Sequence, residues 1–288
     1  ILNVETSCLL IKMKRVFFLL FVFILPCLQG CLGTSEEVSG QTIRLATTTS
    51  MRDSGLLAEL LPAFTAETGI EVDVIAVGSG AAMNLAKTND VDVLISHSPS
   101  NEILFVEEGH AINRTTFAWN RFVLIGPYQL SGNLTEAMSS LVRENKCFIS
   151  RGDSSGTHIK EQDVWRNVAE SNNHSFIDNE LGYHPDWEGY QSIGQGMGAA
   201  ITIANELECW TLSDKGTALF RSNNIQLSIQ EFESQELVNP YSVLLLDNER
   251  LSETTLFREF LLNNADLIDN YTVSNETLFE SGLPLNYN

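Results

Sequence analysis

From residue 41 onward, short apolar runs rich in β-branched residues alternate with stretches whose apolar positions recur at helical spacing. The pattern predicts a strand over 42–47, then a helix over 55–68 with Leu56, Leu57, Leu60, Leu61 and Phe64 on one face. A strand over 71–77, a helix over 80–87, a strand over 91–96 and a short helix over 102–108 come next. This βαβαβ order implies a parallel sheet with right-handed crossovers. A long apolar run over 117–127 then leads into a second set: helix 135–145, strand 147–150, helix 156–169, helix 196–207 and strand 209–212. Strands over 225–232 and 241–246 and a helix over 254–263 close the pattern. The expectation is an α/β protein of two lobes, 41–121 with 241–288 and 122–240, crossed by the chain near 120–126 and again near 239–243. A ligand would sit in the cleft between them.

The first forty residues read differently. Met13-Lys14-Arg15, an apolar run over 16–25 and Pro26-Cys27-Leu28-Gln29-Gly30-Cys31 describe a secretory signal over 1–30. The run is shorter than the about 20 apolar residues a permanent membrane helix needs. Leu28-Gln29-Gly30-Cys31 resembles the lipobox of prokaryotic lipoproteins, in which the cysteine is acylated and becomes the new N-terminus. Residues 31–40 then form a polar, aperiodic tether. The signal reads cleanly only from Met13, so residues 1–12 are expected to be a start-site artefact.

Charge narrows the partners. With 37 acidic and 17 basic residues, the formal charge is −20, which makes nucleic acid and an anionic membrane face poor partners. An anionic ligand is still possible, because repulsion is screened beyond a Debye length of ~8 Å and a local site of dipoles and one arginine then dominates. Beyond Cys31, Cys147 and Cys209 have no metal or redox spacing and read as buried free thiols, with a disulfide as the alternative. His97, His110, His174 and His184 lack metal-ligand spacing and read as surface or satisfied histidines. Sequons at Asn113, Asn133, Asn173, Asn270 and Asn275 fit exposure outside the cell, as a weak pattern.

Two segments carry chemistry. Thr47-Thr48-Thr49-Ser50 lies between the first strand and the first helix, where hydroxyls and free backbone N–H groups converge. Helix N-termini bind anions without a lysine, although Asp53 or Ser54 as a simple N-cap explains the same residues. Gly78-Ser79-Gly80 repeats the arrangement after the next strand. Ser150-Arg151-Gly152-Asp153-Ser154-Ser155-Gly156-Thr157-His158 forms the counterpart in the second lobe. There Arg151 offers a planar fork suited to an oxyanion, and Ser155, Gly156 and Thr157 add hydroxyls and amides. Arg151-Gly152-Asp153 also spells an adhesion tripeptide, a match chance supplies often. A hydrolase triad of Ser155, His158 and Asp153 lacks the G-x-S-x-G elbow around its serine.

The sequence resembles the Tup-type tungstate-binding proteins of ABC transporters. The resemblance rests on Leu45 to Ser50 with Arg52 to Leu57, Ala76 to Gly80, Val91-Asp92-Val93-Leu94 and Phe122 to Pro127. It continues through Ser150 to His158, Gly194 to Ala199, Thr211 to Thr217 and Asn239-Pro240-Tyr241, so it spans nearly the whole chain beyond the tether. It implies a two-lobed type II periplasmic-binding-protein fold, each lobe a largely parallel sheet flanked by helices, closing by hinge motion. It also implies a non-enzymatic, monomeric protein without a cofactor that holds tungstate or molybdate through Thr47, Thr48, Thr49, Ser50, Ser79, Arg151, Ser155, Gly156 and Thr157. Its partners would be the permease and ATPase subunits of an importer. Ile193, before Gly194-Gln195-Gly196, stands where a threonine is expected. Gly196 and Gly198 read as glycines for close helix packing.

Phosphate is the runner-up ligand, since phosphate-binding proteins carry a similar Arg-x-Asp-x-Ser-Gly-Thr loop. Those proteins accept the proton of hydrogen phosphate on an aspartate, whereas the comparable position here is His97-Ser98. A lipoprotein that senses an oxyanion with the same fold is the other alternative.

Overall fold

The computed structural model describes residues 41–171, 175–180 and 182–284. The expected signal, Cys31, the rest of the tether and the sequon at Asn173 lie outside the described residues. The chain enters through β1 (Thr42–Thr48), α1 (Thr49–Asp53), α2 (Leu56–Thr68), β2 (Glu71–Val77), α3 (Ser79–Lys87), β3 (Val93–Ser96) and α4 (Pro99–Glu107). β4 (Asn113–Gly126) then leads to α5 (Leu134–Arg143), β5 (Phe148–Ser150), α6 (Gly156–Ser171), β6 (Phe176–Asn179), β7 (Gly182–Pro185) and β8 (Tyr190–Ser192). α7 (Met197–Leu207), β9 (Thr211–Asp214), α8 (Lys215–Arg221) and β10 (Ser228–Gln230) complete this part. The chain returns in β11 (Val238–Leu245) and ends in α9 (Leu251–Asn263), α10 (Ala265–Asp269), β12 (Thr272–Val273), β13 (Glu276–Thr277) and β14 (Glu280–Ser281).

The architecture is the two-lobed α/β fold that the alternating pattern implies. In the first lobe β1 pairs in parallel with β2 and β3, and β11 adds antiparallel to β3. β4 joins the lobes. Its first half pairs with β11, and its second half, from Phe122, pairs with β9 and β10. Asn120 on β4 and Asn239 on β11 are register partners, so the two crossings between lobes lie side by side.

Strands buried on both faces send alternate residues to opposite cores. Ile43, Leu45, Val93, Ile95, Val243 and Leu245 face one cluster with Leu56, Leu60, Phe64 and Phe257. Ala46, Leu94 and Leu244 face the other, under Ala82, Met83 and Phe105. The second lobe repeats the scheme, with Phe122, Leu124 and Phe148 packed on Trp165 and Val123, Ile125 and Ile149 packed on Met197 and Ile201. Each Val, Leu, Ile, Phe or Met side chain among these contributes roughly 1.5–3 kcal/mol when fully buried. The expected apolar face of α2 is therefore the face it buries.

Several boundaries differ from the pattern, for local reasons. β3 starts at Val93 rather than residue 91, because the Asp92 carboxylate turns back to accept the Arg44 amide at 2.7 Å. β9 covers Thr211–Asp214 rather than 209–212, because its ladder runs along Phe122–Ile125. The strand expected over 225–232 shrinks to Ser228–Gln230, the residues that reach β4.

The cysteines correct the sequence reading outright. Cys147 and Cys209 form a disulfide, with Cα atoms 4.8 Å apart, and are not free thiols. The Trp210 amide donates to the Cys147 carbonyl at 2.9 Å, which aligns two extended segments 62 residues apart in sequence. Closing a loop of that length stabilises by roughly 4 kcal/mol in the chain-entropy picture. Among the described residues, no helix is long and apolar enough to cross a membrane.

Candidate functional site

In the first lobe the site begins where β1 ends. Thr47 and Thr48 are buried, and the Thr47 hydroxyl has no hydrogen-bond partner among the described residues. The N-cap of α1 is Thr48, whose hydroxyl accepts the Met51 amide at 3.2 Å; at the start of α2 the N-cap is Gly55, and Ser54 Oγ accepts the Leu56 amide at 3.4 Å. Thr49 is exposed. Ser50 is half-buried, with its hydroxyl 3.1 Å from Thr48 Oγ1 and 3.1 Å from His97 Nε2. Ser79 begins α3 at the end of β2, and among the described residues no side-chain hydrogen bond joins it to this cluster.

In the second lobe the loop after β5 turns sharply at Gly152, φ 60°, and again at Ser154, φ 56°. A Cβ at Gly152 would overlap the Ser192 hydroxyl, so the turn needs glycine for space as well as conformation. Arg151 sends Nε and Nη2 to Asp153 Oδ2 at 3.1 and 2.6 Å, and Nη1 to Thr157 Oγ1 at 3.4 Å. Part of its fork is thus closed by a carboxylate. Burial works to raise the Asp153 pKa, yet hydrogen bonds from Ser155 and the Arg151 charge outweigh it and hold the group below its ordinary range. The Gln195 amide donates to the Arg151 carbonyl at 3.0 Å, so the turn after Ile193 braces this loop. Gly198 lets Arg221 approach α7, consistent with a packing glycine.

Ser155, His158 and Asp153 do not assemble as a triad. His158 Nδ1 accepts the Ser154 amide at 3.1 Å, Nε2 meets Gln162 at 3.1 Å, and Asp153 serves Arg151.

His97 is where the two sides meet. A Cβ placed on Gly156 would lie 3.5 Å from His97 Cε1, which brings the start of α6 against the end of β3. His97 Nδ1 lies 2.9 Å from Asn239 Oδ1, and its ring stacks on Tyr241 at 5.0 Å. The Asn239 amide donates to Asn120 Oδ1 at 2.8 Å and to the Tyr241 hydroxyl oxygen at 3.0 Å. Burial pushes the His97 pKa below its usual value and Arg151 adds to this, against the opposing pull of the Asn239 bond, Asp214 and Glu102. His97 is therefore a buried histidine with both ring nitrogens satisfied rather than a surface one.

No carboxylate stands at positions 97–98 directly after β3, as expected, but Glu102 on α4 accepts the Ser98 amide at 2.7 Å and a second carboxylate acts on His97 from the other lobe. Asp214, at the end of β9, is fully buried, and its Oδ1 caps α8 through the Thr217 amide at 2.9 Å. Its other oxygen has no hydrogen-bond partner among the described residues.

Beneath the arginine loop, buried Glu161 accepts the Tyr190 hydroxyl at 2.8 Å. Burial raises its pKa to about 7, opposed by hydrogen bonds of which the Tyr190 bond is the largest. The site as a whole offers hydroxyls, amides and one arginine, a donor set for an oxyanion.

A family model described as the PBP superfamily domain matches residues 34–261. The chain is 36% identical over 245 residues to the tungstate-binding protein TupA of Peptoclostridium acidaminophilum, covering 80% of this chain and 81% of that one. A putative ABC transporter anion-binding protein of Haloferax volcanii is 33% identical, covering 86% and 74%. Among solved structures, the tungstate-binding protein TupA from Desulfovibrio alaskensis G20 superposes with a TM-score of 0.71 at 28% identity, covering 85% of this chain and 100% of that one. The tungstate ABC transporter structure from Geobacter sulfurreducens gives 0.63 at 34% identity, covering 79% and 93%. The chain belongs to the PBP superfamily and, within it, to the Tup-type tungstate-binding proteins of ABC transporters, which are solute-binding proteins and not enzymes.

Proposed function

We propose that this protein captures tungstate, with molybdate as the neighbouring ligand, outside the cytoplasm and delivers it to the permease and ATPase subunits of an importer. The observation that carries the reading is the meeting, at His97, of a hydroxyl-bearing turn from one lobe and an arginine-bearing turn from the other. The oxyanion would be held through its oxygens by Thr47, Thr48, Thr49, Ser50 and Ser79 on one side, and by Arg151, Ser155, Gly156 and Thr157 on the other. The lobes would be 41–121 with 241–288 and 122–240, hinged where Asn120 and Asn239 pair. Cys31 would carry the lipid that holds the protein at the outer face of the membrane, as a monomer. A Cys31→Ser protein recovered from the medium rather than the membrane supports this anchor, and one that stays in the membrane contradicts it.

Ligand choice follows from size and protonation. A cavity matched to long metal–oxygen bonds leaves sulfate out of reach of some donors, and each donor left unmade and buried costs about 1–3 kcal/mol. Bound ligand raises stability by mass action, so thermal shifts at equal concentrations rank the anions. The expected order is tungstate at or above molybdate, with both far above sulfate and phosphate. A larger shift with phosphate or sulfate overturns the ligand assignment.

A further inference from the structure

Ser50 Oγ carries one proton and lies 3.1 Å from both Thr48 Oγ1 and His97 Nε2. An oxyanion in the cleft needs that proton, and so does His97 Nε2, 3.1 Å away. Which atom holds it depends on the far side of the imidazole. Asn239 commits its amide hydrogens to Asn120 and Tyr241, which turns its carbonyl oxygen toward His97 Nδ1 at 2.9 Å. A carbonyl there requires a proton on Nδ1. Neutral His97 then presents a lone pair from Nε2, and the Ser50 hydroxyl donates to it. In that state Ser50 offers an incoming anion only lone pairs.

We infer that anion capture is coupled to uptake of one proton by His97, which makes His97 a ligand-positioning residue that decides whether Ser50 donates to the ligand. This rests on the proposed oxyanion site. The step balances simply: a proton from solvent adds to Nε2, Nε2–H donates to Ser50 Oγ, and the Ser50 hydroxyl turns to the oxyanion, which stays a dianion. The proton also places a positive charge where the two donor turns meet. The ligand is held by hydrogen bonds to its oxygens, so no bond between protein and metal atom is involved.

The groups facing His97 suit this exchange. Arg151, paired with Asp153, comes from the second-lobe loop and opposes protonation; Asp214 at the end of β9 and Glu102 on α4 favour it. Tyr241 stacks on the ring as a neutral phenol, its pKa raised by burial, and β1 and α1 contribute hydroxyls. Burial keeps the free histidine neutral near physiological pH, and a bound dianion restores its basicity.

Calorimetry of the full chain with sodium tungstate, in non-phosphate buffers of different ionisation enthalpy, counts the protons. Uptake approaching one per anion is expected at about pH 8, with affinity falling by up to about tenfold per pH unit above a low-pH plateau. In His97→Gln, tungstate still binds, more weakly, with no uptake and a flat pH profile. Nitrogen-15 NMR of wild-type His97 gives a second readout, a proton on Nδ1 alone in the free protein and on both nitrogens once tungstate is added. Tungstate binding without proton uptake, uptake that survives in His97→Gln, or a free-state proton on Nε2 overturns this inference and leaves the proposed function standing. Failure of wild type to bind tungstate overturns both.

Discussion

The two turns that face each other across the cleft reach the same end with different chemistry. The first-lobe turn carries no formal charge at its core, and Thr48 and Ser50 hold each other and the start of α1 by bonds spanning two or three residues. The second-lobe turn carries Arg151, keeps part of its fork on Asp153, bends through two residues at positive φ and rests on Glu161 and Tyr190. The hydroxyl turn thus sets geometry with groups that are already placed. The arginine turn stores its charge in an internal ion pair and must share it with a ligand. Affinity should therefore depend most on the second turn and discrimination on the first.

Arg151→Ala attacks the larger side of that comparison. Removing the charged partner of a buried anion costs typically 2–5 kcal/mol, so calorimetry should show a loss of roughly 30- to 4000-fold with the fold intact. Arg151→Lys should recover part of it, because a point charge does not reproduce the fork. Wild-type affinity in the alanine variant would remove Arg151 from the site.

The base of the arginine turn carries a titratable carboxyl, Glu161, just as the hydroxyl turn has His97 beside it. The Glu161 pKa is raised to about 7 in the folded protein from an ordinary 4.5. Its contribution to stability is therefore present below about pH 4.5 and lost as pH rises through 7. Glu161→Gln, which keeps an acceptor for Tyr190, should remove that loss, stabilising the protein by roughly 3 kcal/mol at about pH 8 and by little at pH 4.5. Chemical denaturation at both pH values checks this, and equal stability changes at the two would contradict it.

Ser50→Ala tests the hydroxyl turn. A hydrogen bond to a charged ligand is worth ~1.5–3 kcal/mol, so tungstate affinity should fall by about 10- to 100-fold, less than for Arg151→Ala. The reverse ranking would invert the comparison. Asp153→Asn should have the smallest effect. It keeps an acceptor for the Ser155 amide while releasing the arginine fork, so affinity should rise severalfold, within the ~1 kcal/mol typical of partly exposed pairs. Weaker binding would show instead that Asp153 holds Arg151 in place for the ligand.

The sequence exposed most of the fold because most of it is written in local periodicity. The β1 to α3 order, the amphipathic face of α2 and the strand-to-helix placement of both donor turns all come from residues close along the chain. The hairpin of β6 and β7 and the strand β8 were not expected, since short, partly polar segments such as Tyr190–Ser192 owe their conformation to a distant partner, here Phe148–Ser150. α8 was missed for a related reason, a brief helix whose cap, Asp214, is recognisable once β9 is in register.

The centre of the site was the least legible part. His97 joins Ser50 across 47 residues and Asn239 across 142, contacts that no spacing rule encodes. Its position just past β3, at the carboxyl edge of a parallel sheet, was the available signal. The disulfide failed to announce itself in the same way, because Cys147 and Cys209 are neighbours only through the Phe148 to Trp210 bridge.

Whether one oxyanion is gripped by both turns at once is decided by a crystal structure of the tungstate complex phased at the tungsten absorption edge. A single strong anomalous peak is expected between the lobes, with anion oxygens in hydrogen-bonding reach of the Arg151 guanidinium and of the Thr47–Ser50 turn. A peak bound to one turn alone, or in the acidic surface cavity of about 860 Å³ lined by Glu136, Glu231, Glu233 and Glu236, would contradict it.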